Sequence, residues 1–301
     1  MTLYRVTLRL QGPLGSPPVG PMLFGQLCWI VAEHDGPDAM PDWLDPDRMW
    51  RLSDALPQGY LPKPLARPRI LDRAQMQDAK QRKKAALVSR EAWLAHRAAW
   101  DENRVPVDAI KSWPEASLKR AHNTIDRQRG TVAAEGGLHF AHEDWRFTNA
   151  PLLDLYVETG DAPDRIERLL GLLGEAGFGR DASTGRGRFM VEGVARDDAL
   201  ADLPGATRPA SIRHVSLSRG VLTPATMQDA RWRVAPHFGR TGPQISLTGH
   251  SPFKRPVLLM RPGASFQREG VAGRWLTGLH PDRPEIGLNG FHLSIPFAEA
   301  A

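Results

Sequence analysis

The segment Gly177–Phe189 carries residue types that bind phosphate groups. It reads GFGRDASTGRGRF. Glycine lets the backbone adopt positive φ and approach a ligand closely, and arginine supplies charge and hydrogen-bond donors to phosphates. The candidate binding residues of this segment are Gly177, Gly179, Arg180, Ser183, Thr184, Gly185, Arg186, Gly187 and Arg188.

Two interpretations of this segment stay open. It is not a P-loop, because no Gly-Lys-Ser/Thr ends it and it follows a predicted helix, not a first strand; a dinucleotide fingerprint fails for the same reason. A connection rich in Gly, Ser and Asp between a helix and a strand is also what an ordinary turn looks like.

The segment Leu118–Gly137 (LKRAHNTIDRQRGTVAAEGG) offers polar donors suited to phosphate, ribose and base edges. Its candidate RNA-binding residues are Lys119, Arg120, His122, Asn123 and Arg127. His122 is also a candidate general acid or base for RNA cleavage, since histidine titrates near neutral pH. No second histidine or tyrosine is tied to it by spacing, and a structural histidine is the alternative.

A third candidate is His250–Pro262, where Lys254 and Arg255 precede an apolar run. A solvated strand end would have the same pattern. The ten histidines show no metal-ligand spacing, and the carboxylates form no recognisable cluster, so we predict no metal and no other cofactor. The single cysteine, Cys28, lies in an apolar run, which favours a small buried side chain over a reactive thiol.

Charge is distributed unevenly along the 301 residues, although the net charge is only +5. Residues 62–130 contain 16 basic and 8 acidic side chains, residues 208–274 contain 11 and 2, and residues 31–61 contain 2 and 7. Arginine, which forms a planar fork to phosphates, makes up 32 of the 39 basic residues. A GC-rich genome would also enrich arginine, so charge alone leaves nucleic-acid binding open.

The elements that must position these segments follow from hydrophobic periodicity. Thr2–Leu10 alternates like a half-buried strand, and Pro21–His34 has helical spacing. Strands are predicted at 138–148, 152–159 and 188–195, with a helix over 161–176 that opens with acidic residues and ends before glycine. Residues 35–69 are too rich in proline and glycine for regular structure beyond a short helix at 47–55. The order is strand, helix, strand, strand, helix, strand, as in ferredoxin-like folds.

The remaining chain suggests an insertion and a second half. Residues 73–100 are rich in helix formers and basic side chains, so we expect a helical insertion at about 57–115. Beyond a proline-containing link, strand-like runs at 212–218, 231–236, 255–260 and 288–295 indicate a β-rich second half. The prediction is therefore an α+β protein with domains 1–203 and 204–301. No apolar run reaches the length of a membrane span, and the first residues lack the apolar core of a signal peptide, so we expect a cytoplasmic protein without membrane contact.

Several segments, taken in order, resemble one family. These segments are GPMLFGQLCWIV (20–31), HNTIDRQRGT (122–131), EGGLHF (135–140), GFGRDASTGRGRF (177–189) and KRPVLLMRPGASF (254–266). Together they resemble the family of Csm complex subunit four, which belongs to the RAMP superfamily and to type III-A CRISPR effectors. The resemblance covers nearly the whole chain in the right order.

The resemblance implies two ferredoxin-like (RRM-like) RAMP domains in a ribonucleoprotein complex. It implies a non-catalytic subunit that caps the 5′ repeat-derived handle of the crRNA and bridges the large polymerase/cyclase-like subunit to a backbone RAMP subunit. By position, His122–Arg127 and the loop Gly177–Arg188 would hold the handle, with Lys254 and Arg255 near it. A glycine-rich loop beside a sheet would do this through its main-chain N–H groups.

Two other functions stay open from the sequence. The chain could be a crRNA-processing endoribonuclease of the same superfamily that uses His122, in which case repeat RNA would be cleaved. It could instead be a RAMP-like module that binds proteins only, in which case reversing Arg127, Arg186 and Arg188 to glutamate would leave RNA retention unchanged.

Overall fold

The computed structural model describes residues 1–67, 75–113, 115–122, 125–132, 140–147, 152–203, 212–225, 227–242 and 249–300. The α-helices of this part are α1 (Gly20–His34), α2 (Met40–Trp43), α3 (Gln75–Lys84), α4 (Arg90–His96), α5 (Pro163–Ala176) and α6 (Asp198–Ala201). Its strands are β1 (Thr2–Leu10), β2 (Arg51–Leu52), β3 (Leu56–Pro57), β4 (Tyr60–Pro62), β5 (Leu87–Ser89), β6 (Ile110–Lys111), β7 (Glu115–His122), β8 (Ile125–Asp126), β9 (Thr131–Val132), β10 (Phe140–Phe147), β11 (Leu152–Thr159), β12 (Phe189–Arg196), β13 (Ile212–Ser216), β14 (Met227–Arg231), β15 (Val234–His237), β16 (Val257–Met260), β17 (Ser265–Arg268), β18 (Trp275–Leu276), β19 (Leu288–Asn289) and β20 (Ser294–Ala298).

The first half is built on an antiparallel sheet of order β12-β1-β11-β2, with β3 also paired to β11. The alternation along β1 places Val6 and Leu8 on a buried face. Helices α1 and α5 cover this face, with Leu27 and Leu169 in the same hydrophobic core. This sheet and its two helices position the glycine-rich segment, which connects α5 to the edge strand β12.

The prediction that residues 138–148 form the second strand of this sheet is wrong. The stretch 138–148 contains β10, but β10 pairs with β7 in a separate two-stranded arm. Its place in the sheet is taken by β2 and β3, which lie in the stretch predicted to be irregular, and no helix covers 47–55. Each of these strands pairs over only two residues, too few to show alternation, and burial of Trp50 and Leu52 holds them in place.

The insertion is only partly helical. Helices α3 and α4 are separated by β5, which forms a three-stranded sheet of order β4-β5-β6. The N-terminus of α4 is capped by the Ser89 hydroxyl, which accepts a hydrogen bond from the Ala92 N–H at 3.2 Å. The strand between the helices is short and fully buried at Leu87 and Val88, so the helix-forming composition around it hid it from a sequence pattern.

The second half is rich in strands, as predicted. Its main sheet has the order β14-β17-β13-β20, and β15 and β16 form a separate ribbon. The predicted run at 231–236 spans the end of β14 and most of β15, and the run at 288–295 spans β19 and the start of β20. The paired strands named here are antiparallel, which agrees with the predicted α+β class.

The two halves share a hydrophobic core. Leu3 and Tyr156 on the second face of the first sheet are buried together with Trp93 from the insertion and with Leu217 and Phe297 from the second half. Main-chain hydrogen bonds cross the same boundary, since the Asp54 N–H donates to the Leu217 carbonyl at 3.1 Å. The division into domains 1–203 and 204–301 stays a prediction, and any such domains are tightly packed together.

Candidate nucleic-acid interface

The glycine-rich loop starts where α5 ends and folds back on itself. The Gly177 N–H donates to the Leu173 carbonyl at 2.9 Å and so caps the helix. Gly177 has φ +86°, which favours glycine over any residue with a side chain. The Phe178 N–H then bonds to the Gly187 carbonyl at 2.9 Å, which closes the loop just before β12.

Close approach of the backbone explains the glycine at position 187. A Cβ atom placed there would lie 1.9 Å from the carbonyl oxygen of Phe178, and Gly187 itself has φ +70°. A Cβ at Gly15, in the loop of residues 11–19 between β1 and α1 (the first loop), would lie 2.0 Å from the Arg180 carbonyl oxygen. These glycines allow the loop to pack on itself and on the first loop, so part of the glycine pattern has a structural reason.

The main-chain N–H groups of the loop are largely used within the fold. The Gly179 N–H donates to the Gln26 side chain at 3.3 Å and the Arg180 N–H to the Ser16 hydroxyl at 3.2 Å. The N–H groups of residues 184–187 donate to carbonyl oxygens of Asp181, Ala182 and Pro13. A cradle built mainly from main-chain N–H groups, as the sequence suggested, is therefore not what this loop presents.

The three arginines of the loop have different environments. The Arg186 side chain is only 8% exposed, and its Nη1 lies 3.1 Å from the Thr184 hydroxyl and 3.8 Å from an Asp181 carboxylate oxygen. Arg180 Nε donates to the Gly15 carbonyl at 3.1 Å. Arg188 is exposed, as are the loop-tip residues Ser183, Thr184 and Gly185. The surface open to a ligand is thus the tip together with Arg188.

Helix α1 connects this loop to the third candidate segment. Gln26 accepts a hydrogen bond from the loop at Gly179. Cys28 lies on the same helix, and burial raises the pKa of its thiol to about 11. The nearby charge of Lys254 lowers this pKa by a smaller amount. Trp29 lies against Gly242, where an added Cβ would meet the indole ring at 2.1 Å. The glycine-rich loop and the Lys254 segment therefore both lie against helix α1.

Lys254 and Arg255 differ in what they can offer a ligand. Lys254 Nζ donates to the Gly287 carbonyl at 2.6 Å, and burial lowers its pKa. This ammonium group is held in the fold. Arg255 is exposed, and its main-chain N–H bonds to the Leu279 carbonyl at 2.6 Å. Of the predicted pair, only Arg255 presents its charge to solvent.

The second candidate segment lies on the arm formed by β7 and β10. Lys119, Arg120 and His122 are positions of β7, opposite Glu143, His142 and Phe140 of β10. Asn123 lies outside the described residues. Arg127 is exposed in the turn between β8 and β9, where the Asp126 carboxylate accepts from the Gln128 N–H at 2.9 Å. These positions belong to a different element from the glycine-rich loop.

Basic residues that the sequence did not single out line a cleft elsewhere. Arg219, Arg233 and Arg261 of the second half face Lys83 of the insertion across a space of about 540 Å³. The only sequence signal for them was the surplus of basic residues in 62–130 and 208–274. A charge count does not say which of these residues meet in space.

One serine–histidine pair resembles a catalytic arrangement but is inaccessible. The Ser216 hydroxyl lies 3.1 Å from His292 Nδ1. Both residues are buried, and burial lowers the pKa of His292 to about 3. A substrate has no access to this pair, so it belongs to the core. Across the described ranges, no three His, Cys, Asp or Glu side chains are placed to bind one metal ion, and no helix has the length and apolar character of a membrane span.

Neither a protein-family model nor a curated protein sequence matches the chain, but solved structures match its fold. One is a chain of the crystal structure of a Csm1-Csm4 cassette in complex with cA4, with a TM-score of 0.58, 17% identity, and coverage of 100% of this chain and 99% of that chain. A second is a chain of the Csm3-Csm4 subcomplex of a type III-A CRISPR-Cas interference complex, with a TM-score of 0.57, 13% identity and coverage of 99% of both chains. A third comes from the type III-B Cmr-beta complex bound to cognate target RNA, with a TM-score of 0.51, 14% identity, and coverage of 88% and 86%.

The fold is therefore that of a subunit of type III CRISPR effector complexes. Csm4 is the subunit that the names of both Csm assemblies share, and the chain has a Csm4-like fold over its full length. This confirms the resemblance that the sequence motifs indicated.

Proposed function

We propose that the chain is a non-catalytic RNA-binding scaffold subunit of a type III-A (Csm) effector complex. In this role it binds the 5′ repeat-derived handle of the crRNA and bridges the large polymerase/cyclase-like subunit to the backbone subunits. The observation that carries the proposal is the Csm4-like fold, which extends over the full length of the chain. The proposal includes a cytoplasmic location and no membrane partner.

The fold part of the proposal is two ferredoxin-like domains. In the first half, the elements β1, α1, β2 with β3, β11, α5 and β12 follow the expected order of such a domain. The sheet order β12-β1-β11-β2 places the fourth, first, third and second of these strands side by side. For the second half, the support is its four-stranded antiparallel sheet.

The RNA-binding part rests on exposed side chains at three places. Arg188 and the loop tip are exposed beside the edge strand β12. Arg255 is exposed next to Lys254, in the segment that lies near α1. Arg127 is exposed in the turn between β8 and β9. Exposed guanidinium and hydroxyl groups donate well to phosphates and 2′-hydroxyls. Holding an RNA end requires such contacts, and it requires no acid–base pair.

The bridging part is supported by the assemblies of the similar structures and by an exposed apolar face. The similar proteins assemble with Csm1 and with Csm3, as the names of those complexes state. On the ribbon of β15 and β16, Val234, Pro236 and Leu258 are exposed, and Phe238 is exposed just beyond β15. Exposed apolar side chains grouped in this way favour contact with another protein.

Co-purification tests the proposal as a whole. The chain would be expressed with its neighbouring operon proteins and a repeat-spacer array, captured, and its bound RNA sequenced from the 5′ end. We expect crRNAs that begin with a uniform repeat-derived handle, together with a large polymerase-like partner. Recovery of the partner without RNA would leave only a protein-binding module. The endoribonuclease alternative would be established if the wild-type chain cleaves repeat RNA and the His122→Asn and His122→Ala variants do not.

A point substitution tests the assigned surface. We expect Arg188→Glu to weaken binding of a handle oligonucleotide about tenfold, because one charge-assisted phosphate contact contributes ~1.5 kcal/mol. Arg196→Glu is the matched control, since Arg196 is also exposed and lies at the other end of β12. Fluorescence anisotropy with labelled handle RNA measures both variants. Equal affinity of the Arg188→Glu variant and the wild type would exclude Arg188 from the interface.

A further inference from the structure

A cleft of about 540 Å³ opens between three parts of the chain that are far apart in sequence. Its walls come from the first loop with the residues before β3, from the insertion around α3, and from the second half near Arg219 and Arg261. The charged residues that line it are six basic side chains and two acidic ones, namely Lys63, Arg82, Lys83, Arg219, Arg233 and Arg261 with Asp54 and Glu102.

The walls are fixed by hydrogen bonds that join the three parts. The buried Asp54 carboxylate accepts from the Gly20 N–H at 2.9 Å and from the Arg219 N–H at 3.0 Å, which ties the start of α1 to the second half. The Leu65 N–H donates to the Gly263 carbonyl at 2.9 Å, which ties the insertion to the second half. The cleft is thus formed before any ligand binds, and binding would cost little conformational entropy.

Both carboxylates of the cleft already interact with basic side chains. Glu102 accepts from Lys63 Nζ at 2.9 Å, and an Asp54 oxygen lies 3.6 Å from Arg219 Nε. Arg82 is buried and donates to the Val105 carbonyl at 2.8 Å, so its role is structural. The positive charge that is left to act on a ligand comes from the exposed residues Lys83, Arg233 and Arg261.

Arg233 and Arg261 are held next to each other. The Arg261 N–H donates to the Arg233 carbonyl at 2.8 Å, so the two residues project from adjacent chain segments into one cleft. Guanidinium groups that line one cleft repel each other, and a bound anion reduces that repulsion. Phosphate, with its several acceptor oxygens, is the anion that such a pair binds best.

The rest of the lining suits a flat, partly apolar group. Trp113 is half-buried and lines the cleft together with Leu65 and Ala66. Bases stack on aromatic rings and on guanidinium planes. A lining that combines guanidinium groups with an indole is matched to a nucleotide and not to inorganic phosphate alone.

We propose that this cleft binds a phosphate-bearing nucleotide, with Arg233 and Arg261 contacting its phosphates and Trp113 contacting its base. The site uses residues other than the glycine-rich loop, and it does not depend on handle binding. Free nucleotides and single-stranded RNA share the chemistry that the cleft recognises. The experiment therefore contains one arm for each source.

Two probes are compared on the intact chain, ATP by calorimetry and a fluorescein-labelled oligoadenylate octamer by anisotropy. We expect Arg233→Glu/Arg261→Glu to weaken binding of at least one probe tenfold or more. For the RNA probe, the slope of log affinity against log salt should also decrease by ~1.4, since two phosphate contacts are lost at ~0.7 each. Binding of RNA without ATP would identify an RNA segment as the occupant, and binding of both would show that a single nucleotide suffices.

The control variant carries the same change of charge outside the cleft. Arg48 and Arg274 are both exposed and do not line it, so Arg48→Glu/Arg274→Glu should keep both affinities within about twofold of wild type. Thermal unfolding verifies that each double variant is folded. Wild-type affinity of the Arg233→Glu/Arg261→Glu variant for both probes would overturn the inference, whereas loss of RNA binding in Arg188→Glu alone would support handle binding without the cleft.

Discussion

At the scale of single residues, chemical type was predictable and environment was not. The sequence identified Arg180, Arg186 and Arg188 as equivalent phosphate ligands, yet the fold buries Arg186 beside Asp181 and leaves Arg188 exposed. What separates them is the left-handed turn at Asp181, with φ +61°, which directs the chain back toward Phe178. Aspartate adopts positive φ more often than most residues with a side chain, but its presence in the sequence does not by itself predict such a turn.

The glycines of the loop provide a test at this scale. We expect Gly187→Ala to lower the free energy of unfolding by about 3 kcal/mol, because it adds a backbone clash to a conformation that costs an L-residue ~1–2 kcal/mol. An added Cβ at position 187 would lie 1.9 Å from the Phe178 carbonyl oxygen, whereas at Gly185 it would meet open space. Gly185→Ala is therefore the control and should cost only ~1 kcal/mol. Urea denaturation measures both, and equal losses would show that packing is not what requires Gly187.

At the scale of elements, length decided what could be predicted. Five elements match the predicted ranges within two residues at both ends, because each carries a full periodic pattern: the strands β1, β11 and β12 and the helices α1 and α5. The strands β2, β3 and β5 have two or three residues each and are held by tertiary burial. They are therefore too short for a periodic sequence pattern to predict them. Strand β10 was predicted but assigned to the wrong sheet, because its strand pattern does not reveal its partner, and that partner, β7, was not predicted.

Helix α5, which leads into the glycine-rich loop, offers a matched pair of leucines. Leu170 is fully buried against the first sheet, whereas Leu172 on the same helix is half-buried. We expect Leu170→Ala to lower the free energy of unfolding by about 3 kcal/mol and Leu172→Ala by about 1 kcal/mol, because the first leaves a closed cavity and the second does not. Chemical denaturation monitored by circular dichroism provides both values. The reverse ranking would mean that α5 packs with its other face.

At the scale of the whole molecule, the two halves act as one packed body. The second core takes Leu3 and Tyr156 from the first sheet, Trp93 from the insertion and Phe297 from β20. The basic cleft lies at the same junction, which is why its arginines come from distant segments. Sequence reasoning could place basic residues in two regions, but only the packing of the halves brings those regions together.

Two histidines of the second half make stability depend on pH. His292 is buried and His214 is half-buried in the second half, and burial lowers the pKa of each to about 3. In the unfolded chain they titrate near ~6.5, so the unfolded state binds the protons, and the free energy of unfolding falls as pH decreases below about 6.5. The expected slope is ~1.4 kcal/mol per pH unit for each histidine between about pH 6 and 4. Burial raises the pKa of Asp54 and Asp154, which gives a slope of opposite sign at acidic pH, so the wild-type curve alone does not isolate the histidines.

Comparison of variants isolates them. His214→Phe removes a half-buried titrating group next to Phe266, whose ring stacks on the imidazole at 6.4 Å between centroids. Replacement of the exposed His34 by phenylalanine is the control. Urea unfolding at pH 6, 5 and 4 should give a shallower loss of stability in His214→Phe than in the wild type, by ~1.4 kcal/mol per pH unit, and an unchanged loss in His34→Phe. Parallel curves for all three proteins would mean that the pKa of His214 is the same in the folded and unfolded chain, which would contradict the effect of burial on this imidazole.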